Sequence, residues 1–175
     1  MALEISIRNR QRSRAIDTRR LRQIASALVV DELQYRSVEL GIHLIGARAM
    51  AALNWRWLRH EGSTDILTFD EYDLTAPDDT GAGGDVRPEL CGELFISVDD
   101  AVIQAREFGT TPGAELVRYL VHGVLHLRGF DDQQAGRRRA MKQEENRLLR
   151  RLARGFRLRS IVGGPRRPRA TRRAA

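Results

Sequence analysis

Val121-His122-Gly123-Val124-Leu125-His126-Leu127-Arg128-Gly129-Phe130-Asp131-Asp132 is the stretch on which the reading of this 175-residue chain turns. Leu116, Leu120, Val124 and Leu127 recur at helical spacing, and Thr111-Pro112 supplies a start, since threonine caps and proline is tolerated in a first turn. Gly129 should end the helix. His122 and His126 are four residues apart, so they leave the helix on one face, where two imidazoles can share a divalent metal. Gly129 accepts a positive φ and lets the chain fold back. That turn can return a carboxylate to the open side of the pair: Asp132 is the candidate third ligand and Asp131 the fallback. Three protein ligands plus water is the pattern of a catalytic metal site. Paired histidines at this spacing also occur with no role beyond packing. The glycine turn and the two carboxylates distinguish this pair.

Working outward, Leu3–Ile7 alternates with period two and predicts a strand. Asp17-Thr18 can cap a helix carrying Leu21, Ile24, Ala25, Leu28 and Val29. Val38–Ile45 predicts a second strand, Ala47 to Leu58 a helix, Ile66–Phe69 a third strand and Gly92–Val98 a fourth. Asp99 can cap a helix that stops near Gly109. A last helix is expected from about Gln134 to Leu152, with Met141, Leu148 and Leu149 as its apolar side. Residues 70–89, rich in Asp, Gly and Pro, read as an exposed loop. The expectation is a single α+β domain: a mixed sheet of about four strands, about five helices, and the metal site on a central helix. The domain should span 1–153, followed by an Arg-rich, disordered tail, 154–175.

Charge and cysteine content narrow the function classes. One cysteine, Cys91, rules out an internal disulfide framework. Apolar runs such as Ala25–Val30 fall far short of a membrane span, and the N-terminus has no signal-peptide pattern, so a cytoplasmic protein with no membrane partner is expected. The net charge of +7 is unevenly spread. Nine arginines and no acids follow residue 150, whereas residues 61–120 hold 14 acids against 3 arginines. The positive total therefore describes the ends of the chain more than its body, and is weak support for nucleic-acid binding by itself. Arginine outnumbers lysine 29 to 1, a ratio that base composition alone can produce.

The His122–Asp131 segment resembles the signature of the YbeY family of metal-dependent bacterial endoribonucleases: His122, Gly123, Leu125, His126, Leu127, Gly129, Phe130 and Asp131 match. Leu53-Asn54 and Ser63-Thr64-Asp65-Ile66-Leu67-Thr68-Phe69 are similar to a second family stretch, and Gly92–Ser97 to a third. Met141 and Glu144 fall where its last helix carries Met and Glu. The resemblance covers about residues 36–150. It implies RNA cleavage in ribosomal RNA maturation, at the 3′ end of the small-subunit RNA, and in ribosome quality control. RNA and the small ribosomal subunit are the implied partners, Zn²⁺ the implied cofactor, and no small-molecule cofactor is expected.

Two positions depart from the family pattern. Asp132 stands where the family has a third histidine. A His122, His126, Asp132 set still suits zinc, and also manganese or iron, while an anionic ligand leaves bound water less acidic. The family's arginine aligns onto Leu58. Arg59, the next residue, is the candidate to neutralise phosphoryl charge, against a plain reading as a solvated helix-end residue. Thr64 and Asp65 would shape the cleft wall, or Asp65 simply orients a turn. Two rival functions remain. A zincin-like metallopeptidase has the histidine spacing, but Gly123 stands where its general base would be. A non-catalytic RNA- or ribosome-binding member of the family would have kept the fold and lost the chemistry.

Overall fold

The computed structural model describes residues 2–70 and 89–166. The chain runs through strand β1 (Leu3–Asn9), a short strand β2 (Arg14–Ile16) and helix α1 (Thr18–Ser26), which continues as a π-helical turn, Ala27–Glu32. Strand β3 (Ser37–Ile45), helix α2 (Ala47–Leu58) and strand β4 (Ile66–Asp70) follow. Then come strand β5 (Glu89–Ser97) and helices α3 (Val98–Glu107), α4 (Pro112–Leu127) and α5 (Ala135–Gly155). A single 3₁₀ turn, Leu158–Ser160, leads into strand β6 (Val162–Pro165). The expected loop at 70–89 lies almost wholly outside the described residues.

The sheet order is β1-β3-β5-β4, with β1, β3 and β5 parallel and β4 antiparallel at the edge. The fold is therefore the mixed four-stranded α+β domain that the strand spacing predicts. Alternation decides which side chains meet which layer. Leu40, Ile42, Leu44, Leu94, Ile96 and Ile66 face one core, shared with α1, α4 and α5. Ile45 and Leu67 face the other way, onto Met50 of α2, in a much smaller cluster.

Helix α4 is the central element. Leu116, Val117, Leu120, Val121, Val124 and Leu125 are fully buried, each stabilising the fold by about 1.5–3 kcal/mol relative to exposure. Gly123 permits its close approach to the sheet. A Cβ there would collide with Ile66 Cδ1 and come 2.9 Å from Leu94 Cδ2.

Two expectations are corrected. Asp99 does not cap α3: Ser97 does, its hydroxyl accepting from the Asp100 amide. The Asp99 carboxylate instead accepts from the Ala47 amide at 2.8 Å, because α2 begins on Gly46, which has no side chain to cap it. The domain also does not end at 153. Residues 154–155 complete α5, and β6 pairs antiparallel with β2. Ile161 is fully buried and Val162 nearly so. Two apolar residues among arginines are too short a signal to read from sequence, and their partner, Arg14–Ile16, is remote along the chain. Residues 167–175 lie outside the described residues.

Candidate metal centre

The C-terminus of α4 builds the site. Gly129 has φ +92°, and its amide bonds the His126 carbonyl at 2.8 Å while the Phe130 amide bonds Leu125 O at 3.0 Å. This pair of bonds closes a Schellman turn, which satisfies the last carbonyls of the helix and sends the chain back across it. The reversal brings the Phe130 carbonyl to His126 Nδ1, at 3.1 Å, and Asp132 Oδ2 to within 3.9 Å of His122 Nε2.

Both imidazoles are oriented through Nδ1. His126 Nδ1 donates to Phe130 O, and His122 Nδ1 donates to Glu145 Oε2, also at 3.1 Å. In a pair of neutral imidazoles so oriented each Nε2 keeps its lone pair, and the two Nε2 atoms lie 3.0 Å apart. Two lone pairs facing at that distance repel unless a proton or a metal ion is shared between them. An ion about 2.0–2.2 Å from each donor in a tetrahedron needs donors about 3.3–3.6 Å apart. His122, His126 and Asp132 offer one ligand atom each, all within 4.8 Å of one another. They are the sole such group among the described residues, so the donor set fits a divalent metal.

Behind the imidazoles lies a buried polar network. Glu145 of α5 is buried, and Arg118 and Lys142 donate to its Oε1 at 2.7 and 2.6 Å. Burial opposes its ionisation. The hydrogen bonds from His122, Lys142 and Arg118 outweigh that and hold the carboxyl at about 2. Arg118 also pairs with buried Glu115 at 3.3 Å. Burial, then the neighbouring His122, holds the His126 imidazole below its usual range, which keeps it neutral and able to ligate.

These groups open onto a cleft of about 560 Å³ lined by Asp65, Arg118, Tyr119, His122, Asp132 and Lys142, among others. Asp65 accepts from Thr64 Oγ1 and the Ile66 amide, so it organises the turn into β4 as well as forming cleft wall. Arg138 donates to the Asp132 carbonyl at 2.8 Å and pins the returning turn.

Two other sequence candidates, Asp131 and Arg59, and the family-matched Glu144 are engaged elsewhere. The Asp131 carboxylate is taken up by the Gln133 amide and Arg137. Glu144 pairs with Arg147. Arg59 is exposed at the end of α2, over the Trp55 ring at 6.0 Å, and is not among the residues lining the cleft. The sequence reading missed Glu145, Arg118, Arg138 and Lys142. Glu145 did leave a signal: it occupies the stripe Met141, Glu145, Leu148, Leu152 that α5 buries.

The model of the family described as Endoribonuclease YbeY matches residues 6–153. The Endoribonuclease YbeY of Anaeromyxobacter dehalogenans is 39% identical over 132 residues, covering 75% of this chain and 63% of that protein. That of Myxococcus xanthus is 37% identical over 118 residues, 67% of this chain and 38% of that protein. That of Geobacter sulfurreducens is 30% identical over 142 residues, 81% of this chain and 89% of that protein. The chain thus spans less than two thirds of the first two and most of the third. A solution structure of a Thermotoga maritima protein shares the fold, with a TM-score of 0.59 at 22% identity over 88% of this chain and 92% of that one. Together with the match over most of its length, these relatives establish that the chain belongs to the Endoribonuclease YbeY family.

Proposed function

We propose that this protein is a metal-dependent endoribonuclease. The observation that carries the proposal is the convergence of His122, His126 and Asp132 on one point at the edge of a cleft that also holds Arg118 and Lys142. Family membership supports RNA as the substrate. Within that reading we assign the protein to ribosomal RNA maturation at the 3′ end of the small-subunit RNA and to ribosome quality control, in the cytoplasm, with Zn²⁺ as the ion. A His-His-Asp set also accommodates Mn²⁺ or Fe²⁺.

A divalent ion held there supplies Lewis acidity towards a phosphoryl oxygen and lowers the pKa of water. The residues of the chain do the rest. Glu145 and the Phe130 carbonyl hold the two imidazoles in the ligating tautomer. Arg118 and Lys142 present cations to the phosphate backbone, and the guanidinium of Arg118 is already fixed between Glu115 and Glu145. We therefore give the charge-neutralising role to these two residues in preference to Arg59. The metallopeptidase reading loses support at Gly123, because a glutamate there would be driven into Ile66 and Leu94.

Metal content and RNA cleavage, measured side by side for wild type, His126→Ala and Asp132→His, test the proposal. Wild type should carry one ion and lose cleavage on chelation. His126→Ala should lose both metal and activity, and Asp132→His should keep the metal. Retained metal and activity in His126→Ala would overturn the ligand assignment. Wild type that binds RNA with no metal and no chelator effect would leave the non-catalytic binding role instead.

A further inference from the structure

The end of α2 is exposed in a way the metal cleft does not explain. Every residue from Trp55 to Ser63 is exposed. Within that run Trp55 is 50%, Trp57 59% and Leu58 51% accessible, and these are the two tryptophans of the chain. Each indole carries a guanidinium: Arg56 lies 5.7 Å from the Trp57 ring centroid and Arg59 lies 6.0 Å from that of Trp55. Among the described residues neither arginine makes an ion pair. No acidic residue occurs from Leu40 to His60, a basic stretch in a chain with 23 acids.

The Trp57 ring is held in place. It packs edge-on against Phe69 of β4 at 5.5 Å, and Phe69 packs edge-on against Phe95 of β5 at 5.6 Å. The helix end is also tied to the cleft. Asn54 donates to the Gly62 carbonyl at 3.1 Å, and Asp65 O accepts from the Ser97 amide at 2.9 Å. Asp65 of the cleft wall is six steps along the chain from Arg59, a reach of at most about 22 Å.

We propose that the protruding end of α2, with Trp57 and Arg56 at its centre, is a stacking subsite for single-stranded RNA that leads into the cleft. The inference rests on the nuclease reading and adds where the strand is held. A nucleobase stacks on any aromatic face without regard to sequence, and a guanidinium beside the ring meets the phosphate between bases. An apolar protein partner would match the tryptophans and leave Arg56 and Arg59 without counter-charge. A polyanion with π faces matches both. Paired bases in a duplex have no free face to offer.

Because both tryptophans are here, their fluorescence reports on the subsite directly. The full chain, stripped of metal with chelator so that nothing is cleaved, is titrated with a short oligoadenylate, a duplex RNA of the same length and tripolyphosphate. We expect saturable quenching by the oligoadenylate alone. Trp57→Ala should weaken that binding about tenfold, and Trp57→Phe should recover most of it. Unchanged metal affinity and thermal midpoint in both variants show that they fold. Unchanged affinity in Trp57→Ala, Trp57→Phe as weak as Trp57→Ala, or equal binding of tripolyphosphate overturns the proposal. So does self-association that Trp57→Ala abolishes in a protein that ignores the oligonucleotide, which assigns the face to a second copy. Cleavage by metal-loaded protein is scored separately. Binding without cleavage overturns the nuclease reading alone, and cleavage unaffected by Trp57→Ala with no quenching overturns the subsite alone.

Discussion

Helices α4 and α2 lie on opposite faces of one sheet and are built in opposite ways. Helix α4 buries its apolar residues almost all round, and its polar groups are held from behind: His122 by Glu145, His126 by its own C-terminal turn, Arg118 by two buried glutamates. Helix α2 buries only Met50 and Asn54 and ends in exposed tryptophans and arginines. The lesson is a division between positioning and reach. Donors for a metal must be positioned to within tenths of an ångström, and two of the three proposed donors, His122 and His126, stand on the most tightly packed element. A surface proposed to receive a flexible polymer needs accessible rings and cations, and the end of α2 offers both clear of the core.

The comparison can be broken most directly on stability. Leu120→Ala, in the fully buried face of α4, should destabilise the fold by about 2–5 kcal/mol, read as a fall in the urea midpoint. A loss below about 1 kcal/mol would show that α4 is not the rigid element described. Next in size is Glu145→Gln. Removing the charge behind His122 should weaken metal affinity about 10- to 100-fold while leaving the far-ultraviolet circular dichroism unchanged. Equal affinity in calorimetric titration would mean that the carboxylate does not orient the ligand.

A smaller effect should appear with pH. His126 has its imidazole below the usual range in the folded chain, so the unfolded chain takes up that proton first. The stability of the metal-free protein should therefore fall as pH drops below about 6.5, and level off once the folded imidazole is also protonated. His126→Gln should remove this component. Urea midpoints above and below that pH that change equally in wild type and variant would count against it. The smallest effect is expected on α2: Leu58→Ala, at an exposed site, should stay within about 0.5 kcal/mol of wild type. A larger loss would mean that the helix end is packed against something in solution.

Much of the fold was legible along the chain because its signals are local. Period-two alternation marked β1 and β3, Thr111-Pro112 and Gly129 bracketed α4, and His122 and His126 shared a face by helical spacing alone. The β2–β6 pairing was illegible, because three residues of β2 and four of β6 carry no periodicity of their own and meet only when Ile161 is buried. Asp99 showed the other failure. Asp99 was the expected cap, but Ser97, two residues earlier, caps α3, and the Asp99 carboxylate accepts instead from the amide of Ala47, which α2 brings alongside.

For the site, the sequence by itself determined the pair of histidines and the turn that follows them, since i, i+4 spacing and a glycine need no distant partner. It left Asp131 and Asp132 as alternatives. The structure places them differently: Gln133 and Arg137 occupy the Asp131 carboxylate, while Arg138 holds the Asp132 carbonyl and the Asp132 carboxylate lies near the two imidazoles. It also placed Glu145 behind His122 across 23 residues of sequence and left Arg59 over Trp55 outside the cleft. Each of these outcomes depends on a contact between separate elements, and the direction of a side chain is decided by whichever charged or polar partner the packed fold brings within reach.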